Sequence, residues 1–249
     1  MNRRIIDFIR RPGARFFEPS GGSVAPEPVS FDLAYLVLDP DTLQLASGSA
    51  VSAWENSGFA NITASQGTAN SQPRFGTNSL GNYVECFNTQ SLDLGTLPTV
   101  TTRDWTFVAV YRRSVTTGGD RRLIDINIGR LIFGSAGVAG GIEATYDGAF
   151  KQHGPDVTTN ILSMIVTANS SSAEINAYQT GSLTYASPQT YTPRAIATSN
   201  AYLFANTSGT ATFFVGELYF LALYPFVFTE DQRTQMETYL AYRFPTIYT

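Results

Sequence analysis

The sequence predicts an all-β domain: an antiparallel β-sandwich carrying one C-terminal α-helix and preceded by an N-terminal arm. Three observations lead there. Charged residues make up 14% of the 249, against about 25% in an average soluble chain, and Gly, Ser, Thr, Asn and Gln fill the gap. The 17 Phe, 13 Tyr and 2 Trp argue against disorder, a helical bundle or a coiled coil. From Phe31 onward, short β-rich runs alternate with Gly, Asn, Ser and Asp clusters, the spacing of a sandwich. A 43% hydrophobic content suffices for a core without disulfides. The single Cys86 excludes an internal disulfide, and one His with one Cys cannot build a structural zinc site.

Taken in order, residues 2–11 place Ile5, Phe8 and Ile9 at i, i+3 and i+4 with arginines opposite, a short amphipathic helix ended by Pro12-Gly13. Arg3, Arg4, Arg10, Arg11 and Arg15 against Asp7 give residues 1–15 a charge of +4, so the remainder carries −8. Residues 18–30, with three prolines and two glycines, read as a semi-extended linker. Arm and linker therefore occupy 1–30 and the folded body 31–249. The chain reads as complete from Met1. Asp7 and Arg10 interrupt the apolar stretch a secretory signal would need.

Within the body the predicted strands are 31–38, 83–87, 105–112, 122–128, 141–146, 161–168, 173–179, 201–205 and 213–224. The run Trp105 to Arg112 has aromatic residues at alternate positions and smaller apolar ones between, which marks a strand covered on both faces. Phe213 to Phe228 is the most apolar stretch, but Glu217 and Pro225 and its length make it buried strands rather than a membrane span. Thr229-Glu-Asp-Gln232 is a capping box with acids in the first turn. Met236, Tyr239, Leu240 and Arg243 or Phe244 follow at helical spacing until Pro245, so this helix lies on the sandwich through Met236 and Leu240.

Together these segments resemble the concanavalin A-like lectin/glucanase superfamily, in particular its laminin-G and pentraxin-like jelly rolls. The strongest segment is Gly216 to Phe244: a glycine before a long strand, then a capped helix carrying Glu237, Tyr239, Leu240, Ala241, Arg243 and Phe244. Upstream, Val51-Ser-Ala-Trp54 with Asn56 and Gly58, Gln72-Pro73, Trp105 to Val110, and Ala173 to Gly181 follow in the same order. The resemblance covers roughly 31–247 and implies a jelly roll. Several members bind calcium through loop carboxylates and asparagines. Here the candidates Asp120, Asp147, Asp156 and Asn206 are scattered, and no cofactor is expected. Retaining glucanases of this fold carry a Glu-x-Asp-x-Glu strand. The nearest match, Leu123-Ile-Asp125-Ile-Asn127, lacks both glutamates, so no catalytic residue is assigned.

Two sets of residues stand out for function. Arg3, Arg4, Ile5, Ile6, Phe8, Ile9, Arg10 and Arg11 form an attachment surface for other protein subunits. Tyr146, Asp147, Lys151 and His153 lie in the loop with the densest mix of aromatic, acidic and basic residues, the composition of a sugar-binding rim. Trp54 and Trp105 sit in apolar runs and are expected in the core, as is Cys86. With Lys151 the only lysine, the body lacks the basic face that tracks nucleic-acid phosphates. The favoured expectation is a non-enzymatic structural or adhesion subunit of a virion or similar assembly, anchored by its arm on a capsid, tail or fibre protein or on itself. The alternatives are a carbohydrate-binding module working through rim loops, at an extracellular surface reached without a signal peptide, and last a glycan-cleaving enzyme.

Overall fold

The computed structural model describes residues 25–97, 104–114, 121–126, 131–135, 141–146, 149–155, 161–169, 174–179, 182–188, 199–205, 209 and 213–247. The arm residues Arg3, Arg4, Ile5, Ile6, Phe8, Ile9, Arg10 and Arg11 lie outside them.

Among the described residues sixteen strands follow in chain order: β1 (Leu36–Leu38), β2 (Ala53–Glu55), β3 (Thr63–Ser65), β4 (Arg74–Asn78), β5 (Gly81–Cys86), β6 (Leu92–Leu97), β7 (Trp105–Arg113), β8 (Arg121–Ile126), β9 (Leu131–Ser135), β10 (Gly141–Tyr146), β11 (Ala149–Pro155), β12 (Ile161–Asn169), β13 (Glu174–Gln179), β14 (Ser182–Pro188), β15 (Ser199–Leu203) and β16 (Gly216–Tyr224). The helix α1 spans Glu230–Arg243. One sheet runs β14-β13-β12-β7-β16-β5-β4, with β1 also paired to β16, and the second runs β11-β10-β9-β8-β15-β6-β3-β2. Every ladder between these strands is antiparallel, so the expected β-sandwich is the fold observed.

The alternation in the Trp105 run decides the layering. Trp105, Phe107, Ala109 and Tyr111 point into the core between the sheets, beside Trp54, Leu123, Ile124 and Leu203. Val108 and Val110 point the other way, into a second cluster with Met236, Leu240 and Phe244 of the helix region. The first sheet is thus a middle layer, with the second sheet on one side and α1 on the other. In β16 a bulge between Leu218 and Phe220 turns both Tyr219 and Phe220 toward the helix, while Leu218, Leu221 and Leu223 keep the inner side.

The capping box forms as predicted. The Thr229 side chain accepts from Gln232 N at 3.2 Å, and Gln232 Oε1 accepts from Thr229 N at 2.9 Å. Arg243 closes the far end of α1, donating to Asp39 at 2.6 and 2.8 Å and to Asp41 at 2.7 Å while stacking over Phe220 and Phe244. Asn56 pins the following loop to β1. Its Oδ1 accepts from Val37 N and Gly58 N, both at 2.7 Å, and its Nδ2 donates to Tyr35 O at 3.1 Å and to Ala60 O.

The observed elements depart from expectation in three places. Residues 31–33 form a 3-10 turn rather than the start of a strand. The Phe213–Phe228 stretch contains one named strand, β16, preceded by an isolated bridge at Phe213. Residues 26–29 of the expected linker lie against the body: Val29 is buried, Tyr224 OH donates to its carbonyl at 2.9 Å, and Gln235 donates to the carbonyls of Glu27 and Pro28 at 3.3 and 3.2 Å.

Candidate functional site

The stretch expected as a sugar-binding rim is largely strand. Tyr146 ends β10 opposite Ala149, Lys151 pairs with Ala144 and His153 with Ile142, while Asp147 lies outside the described residues. Lys151 and His153 thus stand two residues apart on β11, an edge strand of the second sheet among the described residues. The calcium candidates Asp120, Asp147, Asp156 and Asn206 also lie outside the described residues. Among the described residues, no three His, Cys, Asp or Glu side chains gather as metal ligands.

Asp125, the remnant of the glucanase pattern, is fully buried and ion-paired to Arg122. It stands in register with Tyr202, which faces Asp93 on its other side and donates to it at 3.3 Å. Gly209 approaches that tyrosine so closely that a Cβ there would fall 2.7 Å from its ring. Tyr202 is thus held between strand and loop.

A more open constellation lies on the helix side of the first sheet. Alternation in β5 sends Val84 and Cys86 into the core and turns Tyr83 and Glu85 outward. Alternation at the start of β16 does the same with Leu218 inward and Glu217 and Tyr219 outward. Register then aligns four charges from four strands: Arg112 of β7 opposite Glu217, Glu217 opposite Glu85, and Glu85 opposite Arg74 of β4. The order along the row is plus, minus, minus, plus.

Its two halves differ in closure. The Glu217 side chain is 6% exposed, and both its oxygens are engaged: Oε1 accepts from Arg112 and Oε2 from the Tyr219 hydroxyl. Asn78 Nδ2 donates to that hydroxyl at 2.8 Å, extending the chain of bonds to the β4–β5 turn. The Arg112 guanidinium is held charged chiefly by its hydrogen bond to Glu217. Glu85 is half-buried and Arg74 is exposed. Burial, and then the neighbouring Glu217, push the Glu85 carboxyl above its ordinary range, against a smaller opposing pull from Arg112 and Arg74.

Beside this row, Tyr83 lies across β4. A Cβ on Gly76 would fall 2.6 Å from the Tyr83 hydroxyl and nearer still to the ring, so only glycine lets the ring rest there. Tyr219 supports it, with ring centroids 5.5 Å apart and planes at 48°. Tyr83 itself remains half-buried, with one ring face seated on the sheet. A seated aromatic ring with a carboxylate and a guanidinium beside it offers stacking for C–H surfaces and paired acceptors and donors for hydroxyl groups.

Cys86, directly behind Glu85, is buried. Its thiol donates to Gln90 O at 3.0 Å and is pushed up to about 12 by burial, which leaves it inert as a nucleophile. A separate shallow groove runs between Pro26–Glu27 and α1, lined also by Asp231, Thr234, Gln235 and Thr238. Its lining contains no aromatic ring for stacking. No described helix is long and apolar enough to cross a membrane.

No protein-family model matches the chain, and no curated protein sequence matches it. Solved structures do resemble it. Domain 4 of an extracellular arabinanase from Geobacillus stearothermophilus, in complex with arabinotriose, superposes with a TM-score of 0.54 and 12% identity over 78% of this chain and 99% of that one. A Trypanosoma rangeli sialidase in complex with 2,3-difluorosialic acid gives a TM-score of 0.54 and 15% identity over 92% of this chain. The match covers 35% of the sialidase, so this chain spans about a third of that enzyme's length. At these identities the likeness shows the fold, a β-sandwich of the jelly-roll, lectin-like kind.

Proposed function

We propose that the chain is a carbohydrate-binding domain that takes a glycan on the helix side of its first sheet, over Tyr83 and beside Glu85 and Arg74. The observation that carries this reading is the seat of Tyr83: a ring laid across β4 where Gly76 leaves room, flanked by groups suited to sugar hydroxyls. The likeness to a glycan-complexed β-sandwich domain supports it at the level of fold. The binding surface proposed here is borne by strands, whereas the sequence pointed to Tyr146, Asp147, Lys151 and His153. A glycan array probed with the wild-type chain and with Tyr83→Ala tests the choice. Loss of signal in the variant is the expected result, and a signal unchanged in Tyr83→Ala but lost in His153→Ala would return the site to the β10–β11 hairpin.

The face is read as non-catalytic. Glu85 and Glu217 stand in register on adjacent strands, near the spacing of about 5 Å used by retaining glycosidases. Yet Glu217 is engaged by Arg112 and Tyr219 and its side chain is only 6% exposed, which keeps a sugar from reaching it.

A second reading is favoured by the charge split, +4 in residues 1–15 against −8 in the remainder. It makes the domain a subunit of a virion or comparable particle, displayed outward and anchored by Arg3, Arg4, Arg10 and Arg11. Replacing those four arginines by serine in the full chain would abolish partner capture on this reading and leave glycan binding intact.

A further inference from the structure

Resting on the glycan reading above, we infer that the Tyr83 face selects neutral sugars, held by vicinal hydroxyls on Glu85 and Arg74, and rejects anionic ones. The charge arrangement argues for it. Of the two cations in the row, Arg112 is bonded to Glu217, which leaves Arg74 as the cation at the open end. Arg74 stands directly opposite Glu85, so a sugar carboxylate seeking it would come to rest beside another carboxylate. That second charge is already disfavoured, because Glu217 lies in register on the other side and burial works in the same direction.

A neutral sugar meets no such opposition. Two adjacent hydroxyls can donate to the Glu85 oxygens, and the Arg74 guanidinium can donate to a hydroxyl or ring oxygen while the pyranose or furanose face rests on Tyr83. The surroundings act in the same sense. Outside the arm the chain carries −8, a field that lowers the local concentration of polyanionic glycans.

The test is titration calorimetry of the full chain with arabinotriose and maltotriose as neutral probes, and with 3′-sialyllactose and trigalacturonate as anionic ones. We expect at least one neutral probe to bind about tenfold or more tighter than either anionic one. Glu85→Gln should weaken the neutral probe and narrow that gap. Preference for an anionic probe, lost on Arg74→Ala and on Tyr83→Ala, would overturn the selectivity while leaving the site in place. Absence of binding by all four probes, or binding indifferent to Tyr83→Ala, would overturn the glycan reading of this face and the selectivity with it.

Discussion

Gly76 lies directly beneath the Tyr83 ring, on the neighbouring strand of the same hairpin, and the two residues fit only because position 76 has no side chain. The pairing resembles the way an aromatic residue covers a glycine across a ladder, which stabilises the strand pair. Here it also fixes the ring along the sheet rather than upright. The first prediction follows from this contact. Gly76→Ala should displace the ring, lower stability by about 1–2 kcal/mol through overpacking at a half-open site, and cut glycan retention by about tenfold. Thermal unfolding and retention on an immobilised glycan column separate the two effects.

Closure of Glu217 leads to a second prediction. Arg112→Ala leaves a nearly buried carboxylate with one partner fewer, whereas Glu217→Gln removes the charge and keeps the shape. Because the Arg112 side chain is 38% exposed, water replaces part of the lost pairing. A cost of about 1–3 kcal/mol is expected for Arg112→Ala and a smaller one for Glu217→Gln, as read from urea midpoints. Equal costs would show that charge is not the issue at this position.

Glu85 gives the third, a pH dependence. Its carboxyl is held above the ordinary range, by burial first and Glu217 second, so the folded state keeps its proton longer than the unfolded chain. The stability cost of ionising it is absent below the unfolded-state value and complete above the folded-state one. Binding runs the other way, since only the ionised form accepts two hydroxyls. Affinity for a neutral oligosaccharide should fall as pH is lowered from 7 to about 4, through a point above the usual carboxylate value, and this inflection should vanish in Glu85→Gln.

Asn56 supplies the fourth. Its side chain holds four backbone partners between β1 and the loop at 58–60, two of them at 2.7 Å. Asn56→Ala should cost about 1–3 kcal/mol by removing the acceptor of Val37 N and Gly58 N near the core, whereas the Tyr35 and Ala60 carbonyls keep their bonds from Ala60 N and Ile62 N. Gly58 belongs to the same device, since a Cβ there would fall 2.5 Å from Ala34 O. Differential scanning calorimetry of the variant provides the check.

Much of the fold was legible because it is written in local patterns. Alternation in Trp105–Arg112 predicted a middle layer, and Thr229-Glu-Asp-Gln232 predicted the helix start to the residue. Trp54, Asn56 and Gly58 marked a corner whose bonds are now visible. Short strands with weak alternation, such as Ala53–Glu55 and Thr63–Ser65, left no comparable signal. The candidate site was not legible for a different reason. Arg74, Glu85, Arg112 and Glu217 lie far apart in the chain, and only the register of four strands brings them into one row. Tyr83-Val-Glu-Cys86 drew attention for its thiol, while its outward-facing members carry the chemistry. A signal was present in Gly76, a glycine inside a strand, which marks close approach of another group.

The most direct measurement is a backbone amide NMR titration of the full chain with arabinotriose and with maltotriose. Seating of the glycan over Tyr83 should concentrate the shifts at Arg74, Gly76, Tyr83, Glu85 and Glu217. Shifts confined to residues 141–155, with 74–85 unmoved, would contradict it and place the glycan on the β10–β11 hairpin instead.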